Sequence, residues 1–116
     1  MQLILLESPY AGDIVANVLY ARQCVLDSLG RGEAPLASHL LYPHRQILDD
    51  KDITERELGI SAGLAWREVA DAIVYYIDRG WSPGMSNSWK ICYGEGLVCH
   101  IRKLDGPTIS QQKSLA

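Results

Sequence analysis

The hydrophobic positions along the chain switch repeatedly between two spacings. Residues 2–6, QLILL, are almost continuously apolar, the pattern of a strand covered on both faces. In residues 14–29, Ile14, Val15, Val18, Ala21, Val25, Leu26 and Leu29 recur at three- and four-residue intervals. That spacing predicts an amphipathic helix with those side chains turned inward. Asp13 stands where an N-cap belongs, and Gly30 and Gly32 end the segment. Residues 34–41 predict a short second strand between Pro35 and Pro43, and residues 43–52 a polar loop. Thr54 and Glu57 have capping-box spacing, and Leu58, Ala62, Ala65 and Val69 continue at helical spacing, with Trp66 on the apolar side. Residues 72–77, AIVYYI, are the most strand-like run. Residues 88–95 predict a short helix opened by Ser88, and residues 97–101 a last strand.

Strands alternating with helices imply a parallel sheet with helices on both faces. The fold expected is α/β, a flavodoxin-like or Rossmann-like three-layer sandwich with strand order 2-1-3-4. Residues 1–104 form its one domain and residues 105–116 a polar C-terminal tail. In such sheets ligands bind beyond the carboxyl ends of the strands, at the point where the strand order reverses. Here that crevice brings the turn after the first strand opposite the loop after the third.

Composition narrows the partners. The chain has 116 residues, is 47% hydrophobic and 22% charged, and carries a formal net charge of −3. No basic excess marks a nucleic-acid surface. No stretch approaches the roughly 20 apolar residues of a membrane span, and MQLILLESP lacks the basic start of a signal peptide. The expected address is the cytoplasm, or the host cytoplasm if the chain is phage-encoded. Cys24, Cys92 and Cys99 lack metal-finger spacing and read as reduced core thiols. Neither a metal nor a cofactor is expected.

Two segments hold most of the candidate chemistry. The turn Ser8-Pro9-Tyr10-Ala11-Gly12 offers hydroxyls and, at Gly12, room for close backbone approach. It has neither the three glycines of a dinucleotide fingerprint nor the lysine of a phosphate-binding loop. The loop Asp78-Arg79-Gly80-Trp81-Ser82-Pro83-Gly84-Met85-Ser86-Asn87-Ser88 combines a cation, an aromatic and several small polar groups. Arg79 is the expected charge partner of an anionic ligand, and Tyr10 or Trp81 its aromatic cover. The phosphate or sugar end is expected against Ser8, Gly12, Ser86, Asn87 and the free amides of a helix N-terminus, with Ser82 a further hydrogen-bonding group, Met85 a cover for a base, and Gly84 and Ser88 in the same loop. Ser38 and His39 end the second strand at the same edge. In the charged run after them, Asp50 suits sugar hydroxyls and Arg56 a phosphate. On this reading Arg79→Ala weakens binding, while Arg102→Ala on the last strand leaves affinity unchanged.

Several of these motifs occur together in one family. Ser8-Pro9-Tyr10-Ala11-Gly12, Ala21-Arg22, Leu64-Ala65-Trp66 leading to Ala70-Asp71-Ala72-Ile73-Val74, and Gly84-Met85 appear in that order. Over about residues 2–104 the chain resembles the nucleoside 2-deoxyribosyltransferase-like superfamily, in particular its compact phage and bacterial branch. The resemblance implies a nucleoside or nucleotide at the carboxyl edge of the sheet, and association as a dimer or higher homo-oligomer. Ile14, Val18 and Leu19, with Leu64 and Val69, are the expected contact. It also implies a nucleophilic glutamate four residues after the loop glycine and an assisting aspartate three before the helix tryptophan. Those positions read Ser88 and Gly63, and neither supplies a carboxylate. The function expected is therefore binding of a nucleotide or nucleotide-derived signalling molecule without glycosidic catalysis, in the manner of a phage sponge for a host defence signal. The alternative is N-glycosidic hydrolysis or transfer using a displaced carboxylate, with Asp49, Asp50, Glu55 and Glu57 as candidates. No residue is assigned a catalytic role.

Overall fold

A computed structural model describes residues 1–111. Five strands form one sheet: β1 (Leu3–Glu7), β2 (Ala34–Leu36), β3 (Ala72–Tyr76), β4 (Cys99–Arg102) and β5 (Thr108–Gln111). Their order is β2-β1-β3-β4-β5; the first four are parallel, and β5 runs antiparallel to β4. The expected 2-1-3-4 order is thus incomplete. β5 extends the sheet from within residues 105–116, which the sequence pattern left as a tail; residues 112–116 of that segment lie outside the described residues. All four β5 residues are exposed, so no apolar alternation announces it.

The helices are α1 (Ile14–Gly30), α2 (Ile53–Ala65) and α3 (Pro83–Gly94). Side chains alternate across a strand, so β1 and β3 each feed two cores. Ile4, Leu6, Ala72, Val74 and Tyr76 meet Tyr20 and Cys24 of α1 on one face. Leu5, Ile73 and Tyr75 meet Met85 and Cys92 of α3 and Leu64 of α2 on the other. All five residues of β3 are buried. Full burial of each large aliphatic side chain contributes roughly 1.5–3 kcal/mol. The three cysteines are buried and unbridged, and burial pushes the thiols of Cys24 and Cys99 up to about 12.

α1 does not bury the stripe its hydrophobic spacing predicts. Its buried residues are Asn17, Tyr20, Ala21, Cys24 and Ser28, while Ile14, Val15, Leu19, Leu26 and Leu29 are exposed. Hydrogen bonds decide the orientation. Asn17 donates to the carbonyls of Tyr10 and Ala11, Tyr20 donates to Asp78 at 2.6 Å, and Ser28 donates to Glu33. Each polar group enters the interface with a partner. Trp66 likewise departs from its expected core position: it is 42% exposed and donates from Nε1 to the Tyr42 hydroxyl.

Other boundaries shift for local reasons. β2 stops at Leu36, and Ser38–Leu40 form a 3₁₀ turn instead of strand. Asp52 caps α2 by accepting from the Glu55 amide, displacing the expected cap at Thr54. Asp13 caps α1 as predicted, accepting from the Ala16 amide. α3 begins at Pro83, with Ser82 as its cap, so Ser88 lies inside the helix and not at its start.

Arg102 is far from a neutral surface position. It is 3% exposed and donates to both Glu33 carboxylate oxygens, at 2.8 and 2.9 Å, and to the hydroxyls of Tyr76 and Thr108. This hydrogen bonding holds the Glu33 carboxyl below its ordinary range. The pair's stabilisation is therefore present above the unfolded carboxyl pKa and is lost as pH falls through the lower folded value. Arg102→Ala leaves Glu33 without its cation in a half-buried site. Urea unfolding should show a loss of about 3–5 kcal/mol at neutral pH; a loss below about 1 kcal/mol would mean the pair behaves as a surface contact.

Candidate functional site

The carboxyl ends of β1 and β3 open into a cavity of about 240 Å³. Its walls come from the β1 end, the 3₁₀ turn after β2, the loop before α2, one side of α2, and the start of α3. Of the expected residues, Ser8, Tyr10, Ser38, His39, Asp50, Ser82, Gly84, Met85, Asn87 and Ser88 line it.

Five expected residues do not line it. Pro9 is buried behind the turn. Gly12 is needed for the turn itself, with φ +97°. Ser86 holds the first turn of α3 through its amide, which donates to the Ser82 carbonyl. Arg79 donates to Asn17 Oδ1 at 2.9 Å, bracing α1. Trp81 packs on Tyr75 and Trp89 at ring distances of 5.3 and 5.7 Å. Arg79 and Trp81 thus have protein partners and stand outside the cavity lining. The cavity's guanidinium is Arg56, 3.8 Å from Asp50.

Ser8 and His39 share a hydrogen bond of 2.6 Å that ties β1 to the 3₁₀ turn. The spacing is that of a nucleophile and its base. Burial, followed by the neighbouring His44, pushes the His39 imidazole down to about 4. A base that weak contributes little near neutral pH, so the pair positions the wall rather than activating Ser8. Tyr10 donates to the Pro43 carbonyl at 2.7 Å and meets the His44 ring edge-on, which fixes the loop that follows.

Gly63 closes the wall from α2. A Cβ there would stand 2.5 Å from Ser38 Oγ, so any side chain displaces the Ser38-His39 turn. On α3, Ser88 is 3% exposed and shares a 3.0 Å hydrogen bond with the Tyr75 hydroxyl. Pro83 has no amide proton, and the Met85 amide donates to Ser82 Oγ. The Gly84 amide has no acceptor within the helix, as its second position requires, and it lies at the cavity wall.

The sequence reading missed Glu7, the last residue of β1. It lines the cavity, and no hydrogen-bond donor or cation among the described residues reaches its carboxyl. Desolvation raises that carboxyl to about 7, and the residue is half-buried. The available signal was a single acidic residue closing an apolar run, with period two placing it on the side of Leu5. Leu48, Gly59, Ile60 and Leu64 supply apolar wall; they come from elements whose mutual packing no local pattern reveals. Among the described residues no group of three or more His, Cys, Asp or Glu can hold a metal, and no helix is long and apolar enough to cross a membrane.

Residues 2–102 match the model of a family described as a domain of unknown function, DUF7768. The chain belongs to that family. No curated protein matches it. The DUF7768 match ends at Arg102, so it spans β1 to β4, every cavity residue, and the buried Arg102–Glu33 pair, but not β5.

A desolvated carboxyl leaves a thermodynamic signature. Glu7 holds its proton to about 7 in the folded chain, whereas unfolded it loses it near 4.5. The folded state binds more protons across that interval, so this group's effect on stability becomes less favourable as pH rises from 4.5 through 7. Glu7→Gln removes the term. Its stability relative to the parent should climb over that window, by at most about 3 kcal/mol. A difference independent of pH in paired urea titrations would place the carboxyl in ordinary solvent.

Proposed function

We propose that the domain binds a nucleotide or nucleotide-derived molecule in the cavity at the β1–β3 edge, without glycosidic catalysis. The resemblance to the nucleoside 2-deoxyribosyltransferase-like superfamily, with its flavodoxin-like three-layer arrangement, is part of the same reading. The observation that carries it is one cavity lined by both kinds of group a nucleotide needs. Arg56, together with Ser82, Asn87 and Gly84 at the start of α3, suits a phosphate. Leu64, Met85 and the Glu7 carboxyl, pushed up by desolvation, suit a base. A volume of about 240 Å³ is just below the roughly 300–1,000 Å³ of typical ligand sites. It favours a mononucleotide over a dinucleotide. Sequestration of a defence signal, as by a phage sponge, is one use of such a site and rests on analogy.

N-glycosidic cleavage is the second reading, and Glu7 is what favours it. Position 88 is a serine engaged with Tyr75, and a side chain at position 63 would require the Ser38 side chain to shift. Of the displaced carboxylates considered from sequence, Asp50 and Glu55 line the cavity and Asp49 and Glu57 do not. Glu7 adds a carboxyl with a proton to give near neutral pH, the property of a general acid. Release of free base from deoxynucleoside monophosphates would decide for this reading over simple binding.

We also propose a homo-oligomer. Its contact would use the exposed Ile14, Val15, Leu19 and Leu26 of α1; Leu64 belongs to the core instead.

Thermal shift with adenosine monophosphate and the other nucleoside monophosphates at about 1 mM tests the binding reading. A ligand at 100 times its Kd adds roughly 2.7 kcal/mol of stability. Arg56→Ala should weaken the responding ligand by about 1.5–3 kcal/mol, and Arg79→Ala should not act through direct contact. Light scattering of the same samples should give at least twice the chain mass. No shift with any monophosphate, and monomer mass, would contradict the two proposals respectively.

A further inference from the structure

Most polar side chains of the cavity already have partners. Ser8 is bonded to His39, Ser88 to Tyr75, and Asp50 faces Arg56. Glu7, half-buried, has neither donor nor cation among the described residues. It lines the cavity, so a bound molecule can supply what the protein does not. A protonated carboxyl sets an O–H donor beside a carbonyl acceptor. The complementary surface carries an N–H donor next to a ring nitrogen or carbonyl oxygen.

We propose that Glu7, lining the cavity with no partner of its own among the described residues, binds the edge of an uncharged nitrogen heterocycle that presents adjacent donor and acceptor groups, the edge that nucleobases share. This rests on the nucleotide reading above and names the residue that recognises the base.

The surroundings favour the neutral form. β1 pairs with β3 so that Glu7 stands opposite Tyr75. The Tyr75 phenol and the Cys92 thiol of α3 both feel the Glu7 charge, and both are pushed up by burial. His39, beyond Ser8, is pushed down by burial. All three are therefore uncharged at neutral pH, and His39, the only one that can become a cation, puts no positive charge near Glu7. The charged side chains around the cavity are Asp50 and Glu55 before and within α2, and Arg56. Arg56 faces Asp50, which leaves Glu7 without its counter-charge. Ionising Glu7 would cost the desolvation that holds its proton and remove the O–H donor at the same time.

The full chain, with ¹³C-labelled glutamate carboxyls, tests this by NMR with two uncharged probes, adenosine and uridine, added separately. The Glu7 carboxyl should titrate near 7 in the free protein and shift when at least one nucleoside is added at pH 6. Affinity for that nucleoside should be about tenfold weaker at pH 8 than at pH 6, following the protonated fraction. Glu7→Gln keeps a donor beside an acceptor and should bind equally at both pH values. Shifts at the Ser82, Gly84 and Asn87 amides with the Glu7 carboxyl unmoved would overturn this inference and leave the nucleotide reading standing. Equal wild-type affinity at pH 6 and pH 8 would overturn it as well. If neither nucleoside moves any cavity resonance, this inference falls, while the nucleotide reading stands or falls on the monophosphate thermal shifts.

Discussion

A strand covered on both faces has no freedom over where its last side chain goes. β1 sends Ile4 and Leu6 into the α1 core and Leu5 into the α3 core, and the period of two then delivers Glu7 to the α3 side. Pairing with β3 fixes the register, Glu7 against Tyr75. A one-residue slip would exchange the two faces of β1 and place its core residues wrongly. The carboxyl is consequently held half-buried at the cavity wall, and no cation among the described residues answers it. The cavity, its unusual acid and the direction of ligand chemistry all follow from this placement.

The same sheet shows how polar groups can govern packing. α1 turns Asn17, Tyr20 and Ser28 inward because each completes hydrogen bonds that the sheet ends and turns need. Tyr20 and Asp78, and Tyr76, Arg102 and Glu33, form two such sets on the α1 side of the sheet. A half-satisfied buried group is costly. That cost outweighs the modest gain of burying Val15 or Leu26, which the structure leaves in solvent. The cavity lies in the opposite layer, with α2, α3 and the loop before α2.

Much of this architecture was legible in the residues. The apolar runs at β1 and β3 and the helical spacing through α1 announced an alternating α/β chain, and the Ser8 turn was placed at the correct edge. β5 was not legible, because its residues are exposed and it exists by pairing with β4. The face of α1 differs from its hydrophobic stripe, since spacing weighs Val15 and Leu26 above Asn17 and cannot see the carbonyls that Asn17 answers. Arg79 and Trp81 drew attention as conspicuous side chains in a loop, yet protein neighbours occupy them. Arg56 and Glu7 were harder to weigh. One sits in a charged run that resembles a solvated face, and the other is a single acid whose burial depends on three other elements.

The central claim is that a ligand's base meets a neutral Glu7 inside this cavity. Isothermal calorimetry of adenosine binding at pH 8, repeated in buffers of different ionisation enthalpy, counts the protons exchanged. At that pH a free carboxyl with a pKa of about 7 is mostly ionised and must regain its proton on binding. The expected result is uptake of about one proton per site in the parent chain and none in Glu7→Gln. Binding with no proton uptake in the parent would contradict the claim.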